Sequence, residues 1–206
     1  MRMLHELIIK DHYDIGGLCT ESKGNVIKTL VEKTNAKFCV EIGVYKGSSL
    51  LYFAEALQKT NGKIIGIDPY KLDSLRNEIP NKQVNEYFYD VLFKEQKTLD
   101  NIYSNLSKIL EDNNLGELIT LVREKSENYY QNIEKESIDV LHIDGNHDEE
   151  YVTKDIINYL PLVKKGGYII MDDTSWVGVI NSIQNHLIDK CKLISEHSEF
   201  AIYIKE

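Results

Sequence analysis

With 206 residues the chain is long enough for one well-packed domain, and its 42% hydrophobic and 9% aromatic content excludes general disorder. A formal net charge of −9 argues against nucleic acid and against an anionic membrane surface as partners, since both call for clustered Lys and Arg.

In chain order, MRMLHELIIKDH is too short and too charged for a signal peptide. No later run approaches the roughly 20 apolar residues that cross a bilayer. Cys19, Cys39 and Cys191 are odd in number and lack CxxC spacing, so they read as reduced, mostly buried thiols of a cytoplasmic protein. Short apolar runs then alternate with longer helical patterns. The predicted strands are KFCVEIG (37–43), KIIGID (63–68), LITLV (118–122), DVLHID (139–144) and GYIIMDD (167–173). Amphipathic stretches follow four of them: SSLLYFAEALQK, SENYYQNIEK, EEYVTKDIINYLPLVKK and VGVINSIQNHLIDK. Continuous apolar runs suit strands buried on both faces, and the β-α alternation reads as a doubly wound α/β domain. CKLIS (191–195) and FAIYIK (200–205) flank the short polar EHSE and predict a terminal hairpin. The expectation is a single domain over 1–206 with a Rossmann-like, seven-stranded, mostly parallel sheet and a C-terminal antiparallel hairpin.

One connection is too long for an ordinary crossover. Residues 70–116 predict a helical insertion, with Leu99, Ile102, Leu106, Ile109 and Leu110 on one face. Its Tyr87, Tyr89 and Tyr103 suit an acceptor lid, the insertion's own packing or a dimer contact.

Acids end most of the predicted parallel strands: Glu41, Asp68, Asp144, and the adjacent pair Asp172 and Asp173. In a parallel sheet these ends share one rim, where open α/β folds bind ligands. Any one acid could simply cap a helix. Five together need compensation, and Asp144, Asp172 and Asp173 form an oxygen set suited to a hard cation such as Mg²⁺, Ca²⁺ or Mn²⁺. Adjacent strand residues point to opposite faces, so Asp172 and Asp173 can share an ion only if the strand ends there. The segment EIGVYKGSS spaces its glycines Gly43-x-x-x-Gly47, which fits neither a dinucleotide fingerprint nor a P-loop. Ser48 and Ser49 at the following helix start would hold a carboxylate, and Asp68 stands where nucleotide folds bond a ribose. A ligand with both an amino-acid end and a ribose is S-adenosylmethionine.

EIGVYKGSS, IIGIDP, the LVREKSEN loop, and HIDGNH with GGYIIMDD occur in that order. Through them the chain resembles the class I S-adenosylmethionine-dependent methyltransferases, in particular metal-dependent O-methyltransferases of the catechol type and their bacterial relatives acting on sugars and natural products. The resemblance implies that Glu41, Gly43 and Gly47 shape the methionine pocket, with Tyr45 beside it and Ser49 on the amino-acid end. It implies Asp68 on the ribose, Ser126 near adenine, and Asp144, Asp172 and Asp173 as metal ligands. His147 falls where the catechol enzymes carry a basic group, so it suits either the general base or a substrate-orienting or surface role, and Asn146, which departs from relatives with an acid near that point, leaves the base assignment open. His142 is expected to be a core histidine. Trp176 suits either the acceptor wall or packing under a loop. The implied reaction is methyl transfer to a small-molecule hydroxyl, with a homodimer or larger assembly. A non-catalytic cofactor-binding module and a hydroxylase-like, metal-dependent reaction on the same fold remain open alternatives.

Overall fold

The computed structural model describes residues 4, 7, 19–75 and 93–206. Its seven-stranded sheet comprises β1 (Phe38–Ile42), β2 (Lys63–Ile67), β3 (Ile119–Val122), β4 (Ile138–Ile143), β5 (Val163–Asp172), β6 (Cys191–Glu196) and β7 (Phe200–Lys205). The order is β3-β2-β1-β4-β5-β7-β6, parallel through β5 and antiparallel at β7 and β6. The chain reverses its direction of winding between β1 and β4, and this is the crevice where doubly wound sheets bind ligands.

Helices cover both faces because each parallel strand is apolar on both. On one face α1 (Glu21–Thr34), α2 (Ser48–Thr60) and α4 (Gln96–Asp112) bury Ile27, Val31, Leu50, Phe53, Leu106 and Leu110 against Cys39, Val140 and Ile170. On the other, α6 (Glu149–Tyr159) and α7 (Val177–His186) bury Val152, Ile156 and Ile183 against Val40, Leu141 and Ile169. Strand alternation thus sends odd and even positions to different helix layers. Glu41, His142 and Asp172 carry the parity that faces α1 and α2.

Two elements depart from expectation. Helix α1 is not apparent from periodicity, because Lys23 and Gly24 interrupt its buried face between Thr20 and Ile27. The SENYYQNIEK stretch is only a short helix, α5 (Ser126–Tyr129), followed by a 3₁₀ turn at Tyr130–Asn132. Within the long connection lie α3 (Leu72–Leu75) and α4, with Leu99, Leu106 and Leu110 buried. Tyr87 and Tyr89 lie outside the described residues. Among the described residues no helix is long and apolar enough to cross a membrane.

Candidate active site at the carboxyl rim

A cavity of about 470 Å³ opens at the carboxyl ends of β1, β2, β4 and β5. Gly43, Tyr45, Ser48, Ser49, Asp68, Ser126, Asp144, His147, Asp172, Asp173 and Trp176 all line it, whereas Glu41 and Gly47 stand behind it. The rim bends sharply. Tyr45, Tyr70 and Asp173 adopt left-handed backbone angles (φ 49°, 48° and 49°) just after β1, β2 and β5, a strained state for such residues that concentrates at functional sites.

On the β1–β2 side the main chain organises the site. Gly43 (φ 87°) follows β1 so closely against the end of β4 that a Cβ would collide with the Asp144 carbonyl. Asp68 then ties the loop down. Its Oδ2 accepts the Val44 and Tyr45 amides at 3.1 and 2.9 Å, and its Oδ1 accepts the Tyr70 amide at 2.8 Å. Burial still raises its carboxyl above the ordinary value, against the pull of those three donors. A carboxylate offers about four acceptor positions, so one remains for a ligand. The Tyr70 hydroxyl donates to the Tyr45 carbonyl at 2.8 Å. Tyr103 of the long connection packs its ring on Tyr70 at 5.2 Å rather than on the cavity, while Phe93 and Leu99 reach the cavity wall.

Behind the cavity, the Ser49 hydroxyl donates to Glu41 Oε1, and His142 Nδ1 lies 3.0 Å from the same oxygen. Glu41 and His142 are fully buried, and Glu41 Oε2 has no hydrogen-bond partner among the described residues. His142 Nε2 continues to Asp172 Oδ2 at 3.3 Å. His142 is therefore a core histidine, and also a bridge between the two halves of the rim.

On the β4–β5 side, side-chain charges organise the site. The Lys23 ammonium contacts Asp172 and lies 3.3 Å from Asp144 Oδ2. Asp173 turns the other way, to His147 Nε2 at 2.8 Å, with Asp144 Oδ1 at 3.9 Å from the same nitrogen. Burial alone would raise Asp144, but Lys23, His147 and His142 hold its carboxyl below the ordinary range. Burial would likewise lower His147, yet the hydrogen bonds and charges of Asp144 and Asp173 carry it up to about 9. The Trp176 ring lies 4.9 Å from the His147 ring. Gly178 locks this corner, because a Cβ there would strike the His147 carbonyl and lie 2.7 Å from the Glu149 amide. Asn146 shapes the same loop, accepting the Asp148 amide at 2.9 Å and donating to the Ser74 carbonyl at 3.2 Å.

The expected three-acid ion site does not converge. Among the described residues, ligand-type atoms within 4.8 Å of one another form two sets, His142–Asp144–Asp172 and Asp144–His147–Asp173. Asp172 and Asp173 thus fall in different sets, and an ammonium already bridges Asp144 and Asp172.

Near the third strand, the Ser126 hydroxyl donates to Asp155, which burial pushes up to about 7. Sequence reasoning missed both Asp155 and Lys23. Asp155 is hidden as a polar position of an amphipathic helix. Lys23 carried one usable signal: a lysine in a helix's first turn opposes the helix dipole and needs a nearby anion.

A family model described as a methyltransferase domain matches residues 40–174, from β1 through the last rim aspartate. The chain belongs to this methyltransferase family. It is 29% identical over 168 residues to the flavonoid 3′,5′-methyltransferase of Vitis vinifera, covering 81% of this chain and 60% of that one. It is 28% identical over 184 residues to caffeoyl-CoA O-methyltransferase 1 of Arabidopsis thaliana, covering 87% and 59%. The chain spans 59 to 66% of the length of four curated relatives it matches, these two among them. Its fold is also that of the O-methyltransferase TomG of Streptomyces achromogenes, solved in complex with SAM, at a TM-score of 0.64 and 13% identity over 100% of this chain and 90% of that one.

Proposed function

We propose that this methyltransferase transfers the methyl group of S-adenosylmethionine to a hydroxyl oxygen of a small molecule. The observation that carries the reading is one cavity with two unlike walls: backbone-built loops after β1 and β2, and a His147–Asp173–Trp176 corner after β4 and β5. The first wall suits the cofactor. Ser48 and Ser49 stand at the N-terminus of α2 for its carboxylate, and Glu41 behind the cavity accepts the Ser49 hydroxyl and so fixes it in place. Asp68 keeps one acceptor position for a ribose hydroxyl, and Ser126 with Asp155 stands at the base end. The names of the plant relatives, which act on caffeoyl-CoA and flavonoids, favour a phenolic acceptor.

In the reaction the acceptor oxygen attacks the sulfonium methyl in line; the O–C bond forms, the S–C bond breaks, and S-adenosylhomocysteine leaves. His147 takes the hydroxyl proton once it is neutral. As an imidazolium between two carboxylates it cannot, and the positive cofactor entering the cavity offsets part of their charge and brings its pKa down. Trp176 walls the acceptor, and much of the acceleration comes from holding the two reactants together. The test is calorimetric titration of S-adenosylmethionine, followed by methyl transfer to a panel of phenols and sugars. Cofactor binding with a methylated hydroxyl product supports the reading, and the absence of cofactor binding sinks it.

A further inference from the structure

Resting on that reading of the β4–β5 wall, we infer that the Lys23 ammonium takes the place of a divalent ion between Asp144 and Asp172, so that any ion must compete with the lysine for these carboxylates. Lys23 is only 6% exposed, and its Nζ contacts both acids. Its place is built rather than adventitious. Thr20 caps α1 by accepting the Lys23 amide at 3.2 Å, and Gly24 lets the helix lie so close to α2 that any Cβ would strike the Tyr52 ring. A lysine here opposes the helix dipole and loses its hydration, two penalties that only close carboxylates offset.

The rest of the site follows the same plan. Asp172 shares the strand parity of His142 and faces α1, where the lysine waits. Asp173, needed by a three-acid ion site, is rotated away by its left-handed backbone and paired with His147 at 2.8 Å. These three rim carboxylates are thus met by two side-chain cations, one for Asp172 with Asp144 and one for Asp173 with Asp144.

Removing the lysine charge leaves two facing carboxylates, which is what a hard cation seeks. Mn²⁺ and Mg²⁺ would be titrated calorimetrically into the wild type, Lys23→Met and Lys23→Arg, with thermal denaturation in ion or in EDTA alongside. The expected result is an ion affinity at least tenfold higher in Lys23→Met than in the wild type, and a larger rise of its Tm with ion. Lys23→Arg, which keeps the charge, should behave as the wild type. Lys23→Met binding no tighter than the wild type overturns the inference. Should that variant fail to fold even with ion present, the wild type decides: saturable micromolar binding overturns the inference and its absence up to millimolar ion supports it. Cofactor binding in EDTA on the same samples is read separately. Its absence defeats the proposed function and leaves the ratio of ion affinities as the test of Lys23.

Discussion

The two walls of the cavity solve one problem, buried acid, by opposite means. Asp68 is satisfied by three backbone amides, which neither titrate nor move without the loop. Asp144, Asp172 and Asp173 are satisfied by the Lys23 and His147 side chains, which respond to pH, to ions and to substitution. The β1–β2 wall is therefore fixed by the fold, whereas the β4–β5 wall is held by charge.

The largest expected effect breaks the fixed wall. Gly43→Ala forces a side chain onto a φ of 87° and into the Asp144 carbonyl, so β1 and β4 must separate at their ends. The combined strain and overpacking should destabilise by about 3 kcal/mol and abolish cofactor binding, as read by urea denaturation and calorimetry.

Next comes the charged wall, through pH. His147 is raised from 6.5 to about 9 in the folded protein, so its contribution to stability is complete below pH 6.5 and is lost as pH rises through 9. At 1.36 kcal/mol per unit the shift corresponds to roughly 3 kcal/mol as an upper bound, because the site is partly open to solvent. Urea midpoints at pH 6 and pH 10 should differ by more in the wild type than in His147→Gln. Equal differences would show that His147 is not held as an imidazolium. Asp68→Asn should have a smaller effect, about 1 to 2 kcal/mol, because the amide can accept from one side only and turns a donor toward the other amides. Its apparent cofactor affinity should fall at any pH, without the alkaline dependence expected of the other wall.

The fold was readable because buried parallel strands are long apolar runs and their order leaves few topologies. The seven strands, their hairpin end and the buried face of α4 follow from that pattern. The gathering of acids at one rim followed as well, since four of the five predicted parallel strands end in one. The pairing of those acids was not legible. Lys23 lies 121 residues from Asp144, on a helix whose buried face holds a lysine and a glycine where periodicity asks for apolar residues. The opposed directions of Asp172 and Asp173 follow from strand parity, yet the left-handed turn that hands Asp173 to His147 is a tertiary outcome. Asp68 was legible as an acid at the right strand end, but nothing local indicates that the amides of Val44, Tyr45 and Tyr70 converge on it.

The smallest effect separates the walls most cleanly. Trp176 belongs to the charged wall: its ring lies 4.9 Å from His147, and its amide donates to the Asp173 carbonyl at 2.9 Å. An imidazolium against an indole face gains about 0.5 to 1 kcal/mol, less than one pKa unit. Trp176→Leu keeps a large apolar side chain but removes that face. The alkaline limb of stability should then move down by about half a pH unit, since the imidazolium loses a stabilising neighbour. The acceptor KM should rise in the same variant, while calorimetric affinity for S-adenosylmethionine stays at the wild-type value. A change in cofactor affinity of the same size would mean that the two walls are coupled through the His142 bridge between Glu41 and Asp172, and that the division between a fixed and a charged wall is too sharp.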